Sequence, residues 1–213
     1  MKKCLFLLML AALAACGEDE YHYPPVKLEY LTGYSDGNAA LQSIRTDQGE
    51  VLPVWRDGTG LSFTPDSLMR MVTNYEMAEE GAILYAAVAA IAPVPLTEDK
   101  FTDGIKTDPA EILSIWMGQD YLNIVLNIKR QDGTHLFHFI EDKVEENGNR
   151  TDVHLRLYHD AGGDVPAYTS RAYLSVPLQP YARKDGGITR VYFSLNTYEG
   201  ATETYKFDYT PQS

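Results

Sequence analysis

Residues 121–160 read YLNIVLNIKRQDGTHLFHFIEDKVEENGNRTDVHLRLYHD, and the turns and apolar residues in this stretch decide the fold class. Asn147-Gly148 is a strong hairpin signal, a two-residue type I′ turn whose central positions both need a positive φ. With those two residues at the tip, Lys143 opposes Asp152 and Glu145 opposes Arg150, two cross-strand pairs of opposite charge. The same register aligns Leu136, His138 and Ile140 with Val153, Leu155 and Leu157 on one apolar face. Upstream, Gln131-Asp132-Gly133 fits a three-residue loop with Gly133 in the left-handed region. That loop opposes Ile128 to Leu136, Leu126 to His138 and Ile124 to Ile140. A two-residue loop would flip the upstream strand and break the apolar face. Three adjacent strands with a shared apolar face are half of a sandwich. Runs at 172–178, 189–195 and 204–209 supply strands for the other half.

The rest of the chain from Val26 onward has the same character. No amphipathic helix longer than about two turns emerges from the 3.6-residue period. Short β-branched and aromatic runs alternate instead with turn clusters such as Ser35-Asp36-Gly37, Asp47-Gln48-Gly49 and Arg56-Asp57-Gly58. Thr64-Pro65-Asp66-Ser67 reads as a short helix start, with Thr64 as N-cap and Pro65 first. The apolar run 83–91, ILYAAVAAI, reads as a strand buried on both faces. Residues 98–109 are polar and charged and are assigned as a linker. The fold class expected is therefore all-β, with an N-terminal β unit at 26–97 and an antiparallel β-sandwich at 110–213.

Composition narrows the function classes. The 213 residues carry 30 acids against 18 bases, a formal charge of −12. Such a chain lacks the basic footprint that neutralises phosphates, so nucleic-acid binding is not expected. Hydrophobic residues make up 45% of it, which excludes disorder.

The N-terminus carries an address. Met1-Lys2-Lys3 is a positive start and Cys4 to Leu13 an apolar run, too short to span a bilayer and suited to a secretory signal. The run ends in Leu13-Ala14-Ala15-Cys16, which resembles the lipobox of bacterial lipoproteins. That resemblance implies removal of residues 1–15, lipid on the Cys16 sulfur and acylation of its new amine. Residues 16–25 then form an acidic tether, with Gly17-Glu18-Asp19-Glu20 resembling the signal that takes Bacteroides-type lipoproteins to the outer face of the outer membrane. More than one acyl chain makes such attachment effectively permanent. Once Cys4 is removed and Cys16 lipidated, no thiol is left for a disulfide or a thiolate metal site.

A lipobox, a spacer, an all-β half with a short helix near Pro65, an all-β half of about 100 residues and the run Ala172-Tyr173-Leu174-Ser175-Val176-Pro177-Leu178 together resemble the NigD-like lipoproteins. The resemblance implies an OB-type barrel at 26–97 followed by a β-sandwich. It carries no catalytic motif, and the role it implies is thin, with a link to bacteriocin immunity.

Several constellations invite chemistry. Gly33-Tyr34-Ser35-Asp36-Gly37 matches the G-x-S-x-G of hydrolase nucleophile elbows, but no strand–turn–helix context follows, and Gly, Ser and Asp build a turn more simply. Four of the five histidines, His135, His138, His154 and His159, fall close together, with His22 apart. The hairpin register puts His138 and His159 on the apolar face and His135 and His154 on the other, so no metal site is expected. His138 reads as a core histidine, with His135–Asp160 and His154–Glu141 as surface pairs. Fifteen tyrosines against seven phenylalanines suit a recognition surface. Tyr30, Tyr34, Trp55 and Tyr75 are the candidate binding face, because OB barrels present strands and loops to ligands. Asp66-Ser67-Leu68 resembles the O-glycosylation site of Bacteroides-type exported proteins, marking Ser67. The reading is a non-enzymatic, lipid-anchored binding module with no cofactor. Its partners are the outer membrane and a protein or glycan. Immunity against an antibacterial factor is the alternative, and a surface hydrolase a weaker one.

Overall fold

The computed structural model describes residues 25–211, all β apart from short turns. Cys16, the tether to residue 24 and His22 lie outside the described residues. Strands β1 (Lys27–Ser35), β2 (Leu41–Thr46), β3 (Val51–Asp57), β4 (Leu68–Met77) and β5 (Ala82–Ala89) close into a barrel in the order β1-β2-β3-β5-β4. Alternation places Leu31, Ile44, Met71, Tyr75 and Leu84 inside it, each essentially inaccessible. Gly33 sits on that inner face. A Cβ there would come within 2.8 Å of Leu41 and 2.9 Å of Met71, so the first glycine of the G-x-S-x-G run is a packing residue. Tyr34 and Ser35 finish β1, and the turn begins at Asp36, whose Oδ1 accepts the amides of Asn38 and Ala40, at 2.9 and 3.0 Å.

Two expectations for the barrel fail. Residues 64–67 form a turn and not a helix: Asp66 adopts φ 50° and its amide bonds back to Asp36 O at 3.0 Å. The tie to the β1–β2 loop outweighs the capping pattern. Nor is β5 buried on both faces. Tyr85 and Val88 are exposed, because only one side of a barrel strand faces the core.

The sandwich pairs a five-stranded sheet, ordered β13-β12-β10-β9-β6, with a three-stranded sheet, β11-β8-β7. Its strands are β6 (Leu96–Thr97), β7 (Glu111–Met117), β8 (Tyr121–Arg130), β9 (Leu136–Asn147), β10 (Arg150–Asp160), β11 (Tyr168–Pro177), β12 (Ile188–Asn196) and β13 (Thr202–Tyr209). Leu122, Ile124, Leu126, Leu174 and Val176 of the smaller sheet pack on Phe139, Leu155, Leu157, Val191 and Phe193 of the larger. β6 runs parallel to β9, so residues 96–97 already belong to the sandwich.

The strands at 121–130, 136–147 and 150–160 are therefore not three neighbours in one sheet, since β8 lies opposite β9 and β10. β8 pairs with β7 and β11, and residues 131–135 carry the chain across to the opposite sheet. Gly133 does not take a positive φ. Its missing Cβ instead makes room for Asp164, 2.6 Å from where a Cβ would stand. The Asp164 carboxylate accepts the amides of Gln131 and Asp132 and so shapes the crossover. β12 and β13 join the β9–β10 sheet, with β12 parallel to β10; of the later strands only β11 joins β8.

The hairpin register shifts as well. Asn147 pairs with Arg150, so Gly148 and Asn149 form the tip, with Gly148 first at φ 64°, as in a type II′ turn. A bulge at Asp142 then slips the pairing by one residue, and Leu157 meets Phe139. Phe139 joins the core while Leu136 is exposed. The charged residues pair along their own strands, Lys143 with Glu145 and Arg150 with Asp152, each at 2.9 Å.

Candidate functional site in the cleft between barrel and sandwich

The outer face of β8 is covered because the barrel packs on it. Tyr30 and Val72 of the barrel meet Val125 and Tyr173 of the sandwich, and the Tyr30 hydroxyl donates to Ile124 O at 2.8 Å. Burial pushes that phenol well above its ordinary range, which keeps it a donor. Beside this contact lies a buried polar network. Arg70 of β4 donates to both Asp47 oxygens at 2.6 and 2.7 Å, to Asn123 Oδ1 at 2.9 Å and, through Nε, to Ser175 Oγ at 3.0 Å. Asn123 Nδ2 closes the ring to Asp47 at 2.6 Å, and the guanidinium stacks 4.2 Å over Tyr121. Barrel and sandwich are thus fixed to each other by charge-assisted bonds in a largely buried interface.

Two residues that touch this network, Tyr121 under the guanidinium and Thr32, which accepts from Arg70 Nη1 at 3.3 Å, line a cleft of about 320 Å³. From the barrel, Tyr34, Val51 and Leu68 line it, with Ser43 and Arg45 between them. Tyr34 has Leu68 and Ser43 as its cross-strand neighbours, and Arg45 has Val51. From the sandwich come Asp120, Tyr121, Pro177 and Gln179. Arg45 and Asp120 face each other at 3.9 Å, and Asp120 is held by Tyr209 Oη at 3.1 Å and, through its carbonyl, by the Leu178 amide. Tyr34, Val51 and Leu68 are 42%, 63% and 67% exposed, an apolar rim around a charged pair. That combination suits recognition of a partner surface: large side chains bury area and the ion pair sets orientation.

The four aromatic candidates do not form one face. Tyr30 and Tyr75 are buried, Tyr75 inside the barrel with its hydroxyl on Glu29 at 2.9 Å. Tyr34 lies in the cleft; Trp55 is exposed on β3, outside the cleft lining. Ser67 is half-buried beside the cleft, its hydroxyl donating to Thr64 O at 2.7 Å. Ser35, the residue of the G-x-S-x-G run, donates to Thr64 O at 2.5 Å and is buried. The sandwich side of the cleft was not read from sequence. Arg70, a lone cation in the apolar run Met69-Arg70-Met71-Val72, was the available signal, since a charge inside a strand demands partners.

The histidines are rearranged by the bulge. His135, expected on the outer face with Asp160, instead bonds His159 through Nδ1 at 2.8 Å, with Asp164 at 3.3 Å on its other nitrogen. The Asp108 carbonyl can only accept, so His159 donates from Nδ1, and burial holds its pKa down. His138 lies outside the core cluster, edge-on to Phe101. His154 faces Lys143 and not Glu141, and stacks on Tyr192 at 4.5 Å. Among the described residues no group of His, Cys, Asp or Glu is arranged to hold a metal ion, and no helix is long and apolar enough to cross a membrane.

Residues 92–209 match the family model of the NigD-like C-terminal β-sandwich domain. The chain is similar in structure to a NigD-like immunity protein from Bacteroides caccae ATCC 43185, with TM-score 0.77 and 36% identity over 90% of this chain and all of that one. It also shares its fold with a protein of unknown function from Bacteroides vulgatus ATCC 8482, with TM-score 0.66 and 18% identity over 88% of this chain and 92% of that one. No curated protein matches it.

Proposed function

Because the chain belongs to the NigD-like family, we propose that it is a lipid-anchored, non-enzymatic immunity lipoprotein that captures an antibacterial protein in the cleft between barrel and sandwich. The observation that carries this reading is the 36% identity, over 90% of the chain, to a protein described as a NigD-like immunity protein. The cleft supports it by geometry: Tyr34, Val51 and Leu68 project from strands of a closed barrel, the arrangement of a preformed binding surface. The anchor is lipid on Cys16 at the outer membrane, and Glu18-Asp19-Glu20 directs the domain to the cell exterior. Placed there, the protein meets a toxin before it reaches the membrane.

The test is a protection assay. Full-length protein is expressed in a susceptible Bacteroides indicator strain, which is challenged with culture supernatants that kill it. Wild type should protect, and Cys16→Ala, which removes the anchor, should not. The toxin should co-purify with the lipidated protein from gently solubilised membranes. Wild type that protects no better than empty vector against every killing supernatant overturns the reading, and a stoichiometric partner recovered in that case points to an outer-membrane assembly. Glycosylation of Ser67 is read separately from the mass of the exported chain. Ser67→Ala should lose the glycan mass; a mass that falls by no more than the hydroxyl oxygen excludes it.

A further inference from the structure

At the C-terminal end of β8, six of the nine arginines having found carboxylates, two that have not among the described residues share one cavity. Arg130 closes β8 and Arg171 lies on β11, and both line a cavity of about 300 Å³. Arg130 Nη2 donates to Gly133 O at 3.1 Å, which holds the guanidinium in place. Its Nε is buried with no acceptor among the described residues. A guanidinium cannot shed its charge, so this donor waits for an oxygen.

The surroundings favour an anion. The chain has 30 acids, yet none of the described lining residues is acidic. The nearby Asp164 is engaged by His135 and by the amides of Gln131 and Asp132. Ile91, Ile128, Phe137 and Tyr173 supply apolar walls. β11 is an edge strand. Tyr173 O and Ser175 N use its outer side to bond Ile91, at 2.9 and 3.0 Å. By the two-residue alternation of a strand, the Arg171 amide points to the same side and adds a third donor.

We propose that this cavity is a binding site for a small carboxylate with an apolar body, its carboxylate held by Arg130, Arg171 and the edge amide of β11. It is separate from the cleft and does not depend on the immunity reading. Benzoate is the probe, with benzamide as its neutral isostere and inorganic sulfate as an anion without an apolar part. The full chain carrying Cys16→Ser, isotope-labelled, is titrated at constant ionic strength while backbone amides are followed by NMR.

Benzoate should shift the amides of residues 128–130 and 171–173 saturably, and benzamide and sulfate should not. Arg171→Gln, which touches no described hydrogen bond, should weaken benzoate at least about tenfold, the loss expected for neutralising one of two charged donors. Arg130→Gln should do the same, and where it disturbs the crossover loop the Arg171 variant decides. Absence of saturable shifts with benzoate, equal binding of benzamide or sulfate, or unchanged affinity in Arg171→Gln overturns the proposal.

Discussion

Arg70 Nη2 lies 2.6 Å from Asp47 Oδ1, and the Arg70 side chain is 3% exposed, so the two domains meet around a desolvated ion pair. Asn123 of the sandwich bonds both partners, which makes the pair a joint and not merely a barrel feature. Removing one partner strands the other charge in a buried interface, a loss of about 3–5 kcal/mol. Asp47→Ala should lower the urea midpoint accordingly. Arg70→Met combined with Asp47→Ala should cost less than the two single changes added together, which a double-mutant cycle reads directly.

Gly118 predicts a second loss at the same joint. A Cβ there would stand 2.9 Å from Asn123 Nδ2 and closer still to the Asp47 carboxylate, and both groups are held by Arg70. Its backbone is not in the left-handed region, so the constraint is space alone. Gly118→Ala should cost about 1–3 kcal/mol, the range for overpacking. Hydrogen exchange at Arg70 Nε should accelerate in this variant, because Asn123 and Asp47 must move apart. An unchanged exchange rate would place the strain elsewhere.

The histidine chain makes stability depend on pH. Burial lowers the His159 pKa in the folded state, with His135 adding to the effect and the Asp108 carbonyl opposing it. The unfolded chain therefore takes up a proton near pH 6.5 that the folded chain resists, and stability falls as pH drops through that value. Asp164 adds a second step. Burial opposes its ionisation, but the amides of Gln131, Gly133 and Asp132 and the His135 ring hold the carboxyl down to about 2. Its contribution is complete above the ordinary carboxylate value of about 3.9 and is lost as pH falls toward 2. Denaturant midpoints measured from pH 8 to pH 3 should show both declines. His159→Gln should flatten the upper one and Asp164→Asn the lower.

Local chemistry was legible wherever neighbours in sequence decided it. The all-β class followed from turn spacing, whereas the Gly33 to Gly37 run is a turn only from Asp36 onward, where Asp36 caps its own loop, since Gly33, Tyr34 and Ser35 pair as the end of β1. What escaped was set by distant residues. The Gln131-Asp132-Gly133 loop looks like a hairpin until Asp164, more than 30 residues later, claims its amides and turns it into a crossover. The bulge at Asp142 is unmarked by glycine or proline, yet it exchanges the faces of Phe139 and His138 and brings His135 to His159. Tyr30 and Tyr75 have the composition of a recognition surface, and only barrel closure and domain packing show that both are buried.

Tyr34 and Leu68 carry the prediction that bears on function. They are cross-strand neighbours on the barrel's outer face, and both line the cleft. Exposed side chains of this kind contribute little to folding, so Leu68→Asp and Tyr34→Ala should change stability by no more than about 0.5 kcal/mol. A bound partner would bury them at the centre of its contact. There, truncating an aromatic anchor or planting a charge costs about 2 kcal/mol or more, roughly a thirtyfold loss of affinity. Both variants should therefore stay folded and lose protection in the indicator strain. Trp55→Ala is the control, since Trp55 is comparably exposed, 59% against 67% for Leu68, but lies outside the cleft lining. Protection lost equally in Trp55→Ala would move the contact surface to β3, and protection kept in Leu68→Asp would remove the cleft from the binding site.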